Sequence, residues 1–233
     1  LAPVADLLFN KTGNADTLSA WTGTLAFTGQ IFFDFAGYST CAIGAALCLG
    51  FSLPDNFKYP YAAVGFSDFW HRWHMTLSGW LRDYLYITLG GNRKGALRTY
   101  INLMFTMLLG GLWHGASWTF IAWGALHGFY LVVERALKNI IPPWRAWTIT
   151  PVRILLAFAT FIAVSCAWVF FRAESFTQAF TILSSMLLIS SEAPTVFIER
   201  FYVILTFGLT IGIFISHWVM RDRSLEDIMN RIP

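Results

Sequence analysis

Four long apolar stretches, at residues 21–51, 99–136, 153–171 and 201–220, decide what this chain can fold into. A helix needs about 20 mostly apolar residues to cross a hydrocarbon core of about 30 Å. Inside that core every backbone N–H and C=O must be satisfied within the segment, which selects helices over open sheets. The runs therefore predict membrane helices. Composition agrees, because only 12% of the 233 residues are charged, against about a quarter in soluble domains. The 11 Trp and 22 Phe suit a long perimeter at the lipid–water boundary. A net charge of +3, scattered along the chain, argues against nucleic acid as a partner. Cys41, Cys48 and Cys166 lie in apolar runs without metal-ligand spacing and are read as small packing residues.

The stretches differ in kind. The first is interrupted by Gln30, Asp34, Gly37, Tyr38 and Ser39. A carboxylate within a span is costly, so Asp34 is expected to face protein or a polar cavity. Pro54–Pro60 then brings turn chemistry. Residues 66–89 mix aromatic side chains with Asp68, His71, Arg72, His74, Arg82 and Asp83. They suit one or two helices lying in the interface or entering the membrane part-way. The stretch at 99–136 is split by Gly110, Gly111 and Gly115 and flanked by basic residues on both sides. Lys and Arg stay cytoplasmic, so it reads as a hairpin with both ends in the cytoplasm. Residues 153–171 form a clean span, 176–190 a span or a half-buried helix, and 201–220 a further span with His217 near its end. The tail at 221–233 reads as cytoplasmic. The expectation is an all-α, polytopic membrane helical bundle with interfacial or re-entrant helices, residues 1–233 forming one membrane domain. Leu1-Ala2-Pro3-Val4-Ala5-Asp6 reads like the interior of a longer protein.

Against this apolar background, ionisable residues stand out as functional candidates. His114 is the sharpest. A neutral imidazole takes a proton from an attacking hydroxyl and returns it to a leaving group, as acyl transfer requires. Gly110, Gly111 and Gly115 beside it would let a substrate or another backbone come close. His127 lies thirteen residues on, roughly 20 Å along a continuous helix and on a different face, so a direct dyad with His114 is not expected. His71 and His74, three apart, would share a helix face. That spacing admits a metal, but no nearby Glu or Cys completes a ligand set, and a tunnel lining or headgroup contact is the better reading. Arg72, Arg82 and Asp83 form either an interfacial charge set or a solvated face. Arg93 and Lys94 would attract a phosphate-bearing donor such as a coenzyme A thioester, or simply anchor the cytoplasmic side. No Gly-x-Ser-x-Gly elbow, P-loop or dinucleotide fingerprint is present.

Five motifs occur in a fixed order: Phe32–Ser39, Phe69–His74, Leu81–Tyr86 with Gly90–Arg93, Gly111–Gly115, and Trp168–Ala173. Together, from about residue 20 to 185, they resemble the membrane-bound O-acyltransferase family, and within it the bacterial branch that O-acetylates alginate. Members are roughly twice this length, so the chain corresponds to the C-terminal half. The resemblance implies a funnel-shaped helical enzyme with a catalytic histidine at His114 and a second motif histidine at His74. Trp113, Asp34, Arg72, Arg82, Asp83 and His127 become candidates for the substrate tunnel. It further implies a bacterial inner-membrane protein with no bound cofactor or metal. The acyl group would come from cytoplasmic acetyl-CoA or an acyl-carrier thioester, and a periplasmic partner protein would pass it to a polysaccharide. His71, Thr40 and Thr88 stand where this branch usually has Arg, Asp and Pro. Those departures keep peptidoglycan, cellulose and D-alanylated teichoic acids open as acceptor systems. Whether His114 acts as a base or briefly carries the acyl group is also open.

Two other classes compete. The thirteen-residue spacing of His114 and His127 resembles a bis-histidine haem bundle, although His71 and His74 cannot supply the matching pair. A non-catalytic channel or scaffold is the third possibility.

Overall fold

The computed structural model describes residues 1–11, 14–141, 148–188 and 194–223. Nine α-helices account for most of these residues: α1 (Ala2–Phe9), α2 (Thr17–Cys48), α3 (Phe66–Trp70), α4 (Met75–Trp80), α5 (Gly95–His114), α6 (Trp118–Ile140), α7 (Thr150–Arg172), α8 (Phe176–Met186) and α9 (Arg200–Met220). A short 3₁₀ turn at Pro60–Ala62 precedes α3, and a π-helical turn at Leu81–Tyr86 follows α4. No β-strand forms among the described residues.

Among the described residues, three helices, α2, α7 and α9, are both long and apolar enough to cross a membrane. The first apolar stretch is one unbroken helix of 32 residues, so the interruptions from Gln30 to Ser39 do not divide it. Asp16 starts it by accepting hydrogen bonds from the Leu18 and Ser19 amides at 3.0 and 3.1 Å. Residues 22–29 are buried, whereas beyond Phe33 only Ser39 is. The C-terminal half of α2 therefore projects from the rest of the chain. Cys41 and Cys48 are exposed on that half rather than packed, and Cys166 is partly buried. At 11 residues α8 is too short to span, so Phe176–Met186 is the half-buried helix of the two alternatives, and residues 189–190 lie outside the described residues. The tail beyond Arg223 and residue 145 lie outside the described residues.

The expected hairpin forms, with a different division of labour among its glycines. Gly110 and Gly111 sit inside α5, which runs on to His114. Gly111 and Gly124 instead bring α5 and α6 into backbone contact. A Cβ on Gly111 would fall 2.3 Å from the Phe120 carbonyl oxygen, and one on Gly124 would fall 2.3 Å from that of Met107. Small residues at a crossing allow this approach, and dispersion across it is what holds apolar helices together in lipid. Tertiary contact has overridden the low helix propensity of glycine. The chain reverses at Gly115–Ser117, and Ser117 caps α6 through the Thr119 amide at 3.3 Å.

Mid-helix hydroxyls are satisfied locally. Thr28, Thr99, Thr106 and Thr160 each donate to the carbonyl four residues back, at 2.7 to 2.9 Å. This hides a polar group that an apolar environment would otherwise penalise. Aromatic packing supplies the centre: Trp123 stacks on Trp168 (centroids 5.7 Å) and Phe69 on Trp73 (5.7 Å).

Residues 66–86 enter this centre as three short pieces. Glu134 of α6 fixes the first by accepting from the Phe66 and Ser67 amides at 2.6 and 2.9 Å, which places a carboxylate at the N-terminus of α3. Lys138 pairs with the same carboxylate from one turn along α6. An ion cluster ties α3 to the end of α9. Asp68 accepts from Arg72 Nε at 2.8 Å, from Arg221 at 2.7 Å and from the Val64 amide at 2.8 Å. Arg72 also donates to the Arg221 carbonyl (3.0 Å), and Arg221 to that of Ala62 (3.1 Å). Burial lowers the Arg221 pKa from its usual value, with Asp68 opposing that effect.

Candidate active site

The break between α3 and α4 makes the site. His71 ends α3 and His74 precedes α4 with left-handed φ and ψ of 43° and 55°. The two histidines therefore do not share a helix face, because the helix does not continue between them. His71 is exposed, its Nδ1 2.6 Å from the Ser67 carbonyl oxygen. His74 turns to a cavity of about 480 Å³.

That cavity lies among α2, α3, α5, α6 and α7. His74, His114, Trp113 and Asp34 all line it, together with Gln30, Trp70, Trp73, Trp123, Trp168, Phe171 and Arg172. His114 is the last residue of α5, so the chain reversal at Gly115 presents its ring at a helix end. Trp123, Phe171 and Trp113 pack edge-on to it at 5.1, 5.0 and 5.0 Å. Trp113 is also 6.2 Å from the ring of His74 and so stands between the two imidazoles. Among the described residues, the His114 nitrogens have no hydrogen-bond partner. Asp34 is exposed and lines the cavity, whose wall is mostly aromatic rather than the polar space expected for it.

The remaining candidates fall elsewhere. Arg72 belongs to the ion cluster, and its guanidinium is used up by Asp68, Asp222 and two carbonyls. Arg82 and Asp83 pair with each other at 2.7 Å on the exposed π turn. That hydrogen bond holds the Asp83 carboxyl below its usual range and raises the Arg82 pKa. Arg82 also lines a second cavity of about 400 Å³, beside His71 and Arg135, with Trp70 forming a wall of both cavities. Arg93 and Lys94 are exposed in the turn before α5 and line neither cavity.

His127 does not meet His114 directly. The reason differs from the spacing argument: the chain reverses between them, and Trp123 sits between the rings at 5.1 and 4.9 Å. His127 is fully buried against Phe69, Trp70 and Trp123, and neither nitrogen has a hydrogen-bond partner. His217 is also buried, where its Nδ1 accepts from the Tyr61 amide at 3.2 Å.

Three residues of the site escaped the sequence reading. Arg172 lines the cavity while donating to Asp6 (3.0 Å) and Asn10 (3.1 Å). Its only signal was its place in the Trp168–Ala173 motif. Trp123 had no signal beyond being aromatic. Asn56 holds His74 from a loop 18 residues upstream, a separation with no periodicity to reveal it. Among the described residues, no group of three His, Cys, Asp or Glu side chains could hold a metal.

In chemical terms the cavity offers two imidazoles in mostly aromatic surroundings. Such a site can move a proton to and from a reacting oxygen or sulfur while keeping water scarce.

Comparison with known proteins places the chain in a family. Residues 2–173 match the sequence profile of MBOAT, the membrane-bound O-acyltransferase family. A probable alginate O-acetylase of Azotobacter vinelandii is 51% identical over 80% of this chain and 36% of its own length. A peptidoglycan O-acetyltransferase of Helicobacter pylori is 45% identical over 79% of this chain and 34% of its own. A teichoic acid D-alanyltransferase of Streptococcus thermophilus is 38% identical over 46% of this chain and 28% of its own. The chain thus spans about a third of the length of the curated relatives it matches. With the profile match covering both histidines and every wall of the cavity, this chain belongs to the membrane-bound O-acyltransferase family.

Proposed function

We propose that the chain forms the C-terminal, histidine-bearing part of a membrane O-acyltransferase. The acyl group, acetyl in the leading reading, leaves a cytoplasmic thioester such as acetyl-CoA or an acyl carrier. It moves towards an extracytoplasmic polysaccharide through a periplasmic partner in the bacterial inner membrane. The observation that carries this is the convergence of His114 and His74 on one aromatic-walled cavity.

The chemistry balances with these residues alone. The acceptor hydroxyl oxygen attacks the thioester carbonyl carbon while an imidazole takes its proton. The C–S bond breaks, and the imidazolium returns the proton to the departing sulfur. If His114 carries the acyl group instead, its bare nitrogen attacks first and the C–S bond breaks as the ring's N–H proton passes to the departing sulfur. The acceptor hydroxyl then attacks the acyl carbon, breaks the C–N bond and returns its proton to the ring. Trp113, Trp123 and Phe171 hold the His114 ring in place in either route. Asp34 and Arg172 give the otherwise apolar wall two charged groups with which to orient a polar substrate. Arg93 and Lys94 remain candidates for a diffuse attraction of an anionic donor, since their exposure suits long-range charge rather than a fixed contact.

Identities of 51% and 45% to the alginate and peptidoglycan enzymes, over four-fifths of the chain, favour acetyl transfer. D-alanyl transfer is the second reading, supported by a relative matched over less than half of the chain. The test is the O-acyl ester content of the cell's glycans when the full protein carries His114→Ala. Near-complete loss at normal membrane abundance is expected, and retained ester would refute the proposal. An acyl-histidine trapped from radiolabelled thioester would select the covalent route.

A further inference from the structure

His74 occupies a backbone conformation that disfavours every residue with a Cβ. Such strain persists only where surrounding contacts impose it, and an observed outlier is a reason to ask what it achieves. Here the contacts converge on one residue, Asn56. Its backbone carbonyl accepts from the Met75 amide at 2.9 Å. Its side-chain oxygen lies 3.1 Å from His74 Nδ1, 3.3 Å from the Thr76 amide nitrogen and 3.0 Å from Thr76 Oγ1. Its amide nitrogen donates to Ser39 Oγ on α2 at 3.1 Å. The turn is thus clamped on both sides and anchored to the helix that forms one wall of the cavity.

This geometry decides where the imidazole carries its hydrogen. A backbone N–H can only donate, so the Asn56 atom facing the Thr76 amide must be the oxygen. The same oxygen faces His74 Nδ1, and two lone pairs would repel there unless Nδ1 carries a hydrogen. A neutral imidazole has one such hydrogen, which leaves Nε2 bare.

We infer that Asn56 is a positioning residue that fixes His74 in its Nδ1–H form and thereby makes Nε2 the proton acceptor of the acyl-transfer step. The inference rests on the acyltransferase reading of the cavity. The hydroxyl proton passes to Nε2, the C–O bond forms as the C–S bond breaks, and the proton continues to the sulfur. While Nε2 holds the proton, the ring is positively charged and its Nδ1–H bond to the Asn56 oxygen strengthens. Asn56 therefore contributes more to the transition state than to substrate binding. The Asn56 contacts do not extend to His114, which has no hydrogen-bond partner among the described residues.

The test uses the full protein in membranes, with thioester donor and hydroxyl acceptor, and quantifies abundance alongside rate. Asn56→Ala should lower kcat by about 10- to 100-fold, a part of the roughly 10²–10⁴-fold that a positioned base supplies. The thioester KM should stay within about twofold, because binding is not what the bond supports. Asn56→Asp keeps an acceptor oxygen and should recover activity to within about fivefold of wild type. Adding Asn56→Ala to His74→Gln should cost no more than about twofold beyond His74→Gln alone, since residues acting as a unit are not additive. A full additional loss in the His74→Gln background would overturn the inference and reduce Asn56 to a structural tie. So would an abundant Asn56→Asp protein as inactive as His74→Gln. If Asn56→Ala fails to accumulate, the Asn56→Asp rate decides by itself. An inactive wild type, or an active His74→Gln, would instead fault the underlying acyltransferase reading.

Discussion

Two polar clusters, one around Asp68 and one around His74 and His114, end in opposite states in this apolar chain. Around Asp68, the carboxylate accepts from Arg72, Arg221 and the Val64 amide, and both guanidiniums also reach backbone carbonyls. Its hydrogen-bonding capacity is turned inward. Around His114 and His74, aromatic walls hold the His114 ring, which has no hydrogen-bond partner among the described residues, and Asn56 holds His74 Nδ1. The first cluster joins α3 to α9 and is stabilising only while complete. The second lines a cavity with two imidazoles, which is how a site open to a substrate differs from a structural tie.

The sharpest way to break this comparison is to exchange the phenotypes. His114→Ala should cut acyl transfer by at least the roughly 10²–10⁴-fold that a positioned catalytic imidazole supplies, with abundance unchanged. Asp68→Ala should instead remove the protein from the membrane, because uncovering buried partner charges costs about 3–5 kcal/mol. An abundant but inactive Asp68→Ala protein, or a His114→Ala protein that fails to accumulate, would reverse the assignments.

The next effect concerns the hairpin that presents His114. Gly111→Val would place a branched side chain where even a Cβ meets the Phe120 carbonyl. The expected cost of about 1–3 kcal/mol from overpacking should appear as a lower unfolding midpoint of the detergent-solubilised full protein. Smaller again is Glu134→Gln, which keeps an acceptor for the start of α3 but removes the charge. About 0.3–1 kcal/mol is expected, read by the same thermal shift, with kcat within about twofold. Least of all should be Arg93→Gln with Lys94→Gln. The thioester KM should rise no more than a few-fold at about 0.01 M salt and return to the wild-type value once the Debye length falls to about 3 Å at 1 M.

The contrast also explains what the sequence could disclose. Apolar run length exposed the helical class and the α5–α6 hairpin, because each follows from local composition, whereas residues 66–89, expected at the interface, place Phe69, Trp70 and Trp73 in the buried centre. His114 was visible as a lone ionisable group in such a run. Arg72 became a tunnel candidate through the motif it sits in, yet its partner Arg221 lies 149 residues away. Gly110 and Gly111 looked like helix breaks because propensity is local, whereas the crossing with Gly124 that keeps Gly111 helical is tertiary. The same holds for Asn56 and His74. Sequence order records which polar groups are present, but only packing determines which of them are already satisfied.

That difference can be measured at the cavity itself. The rates to compare are those of the wild-type full protein, His114→Ala, His74→Gln and the double variant, all at matched membrane abundance. Two groups serving one reaction in one cavity predict that either single change costs nearly as much as both together. If the double variant falls by the product of the two single losses, or if either single variant transfers acyl groups at the wild-type rate, the shared site is contradicted.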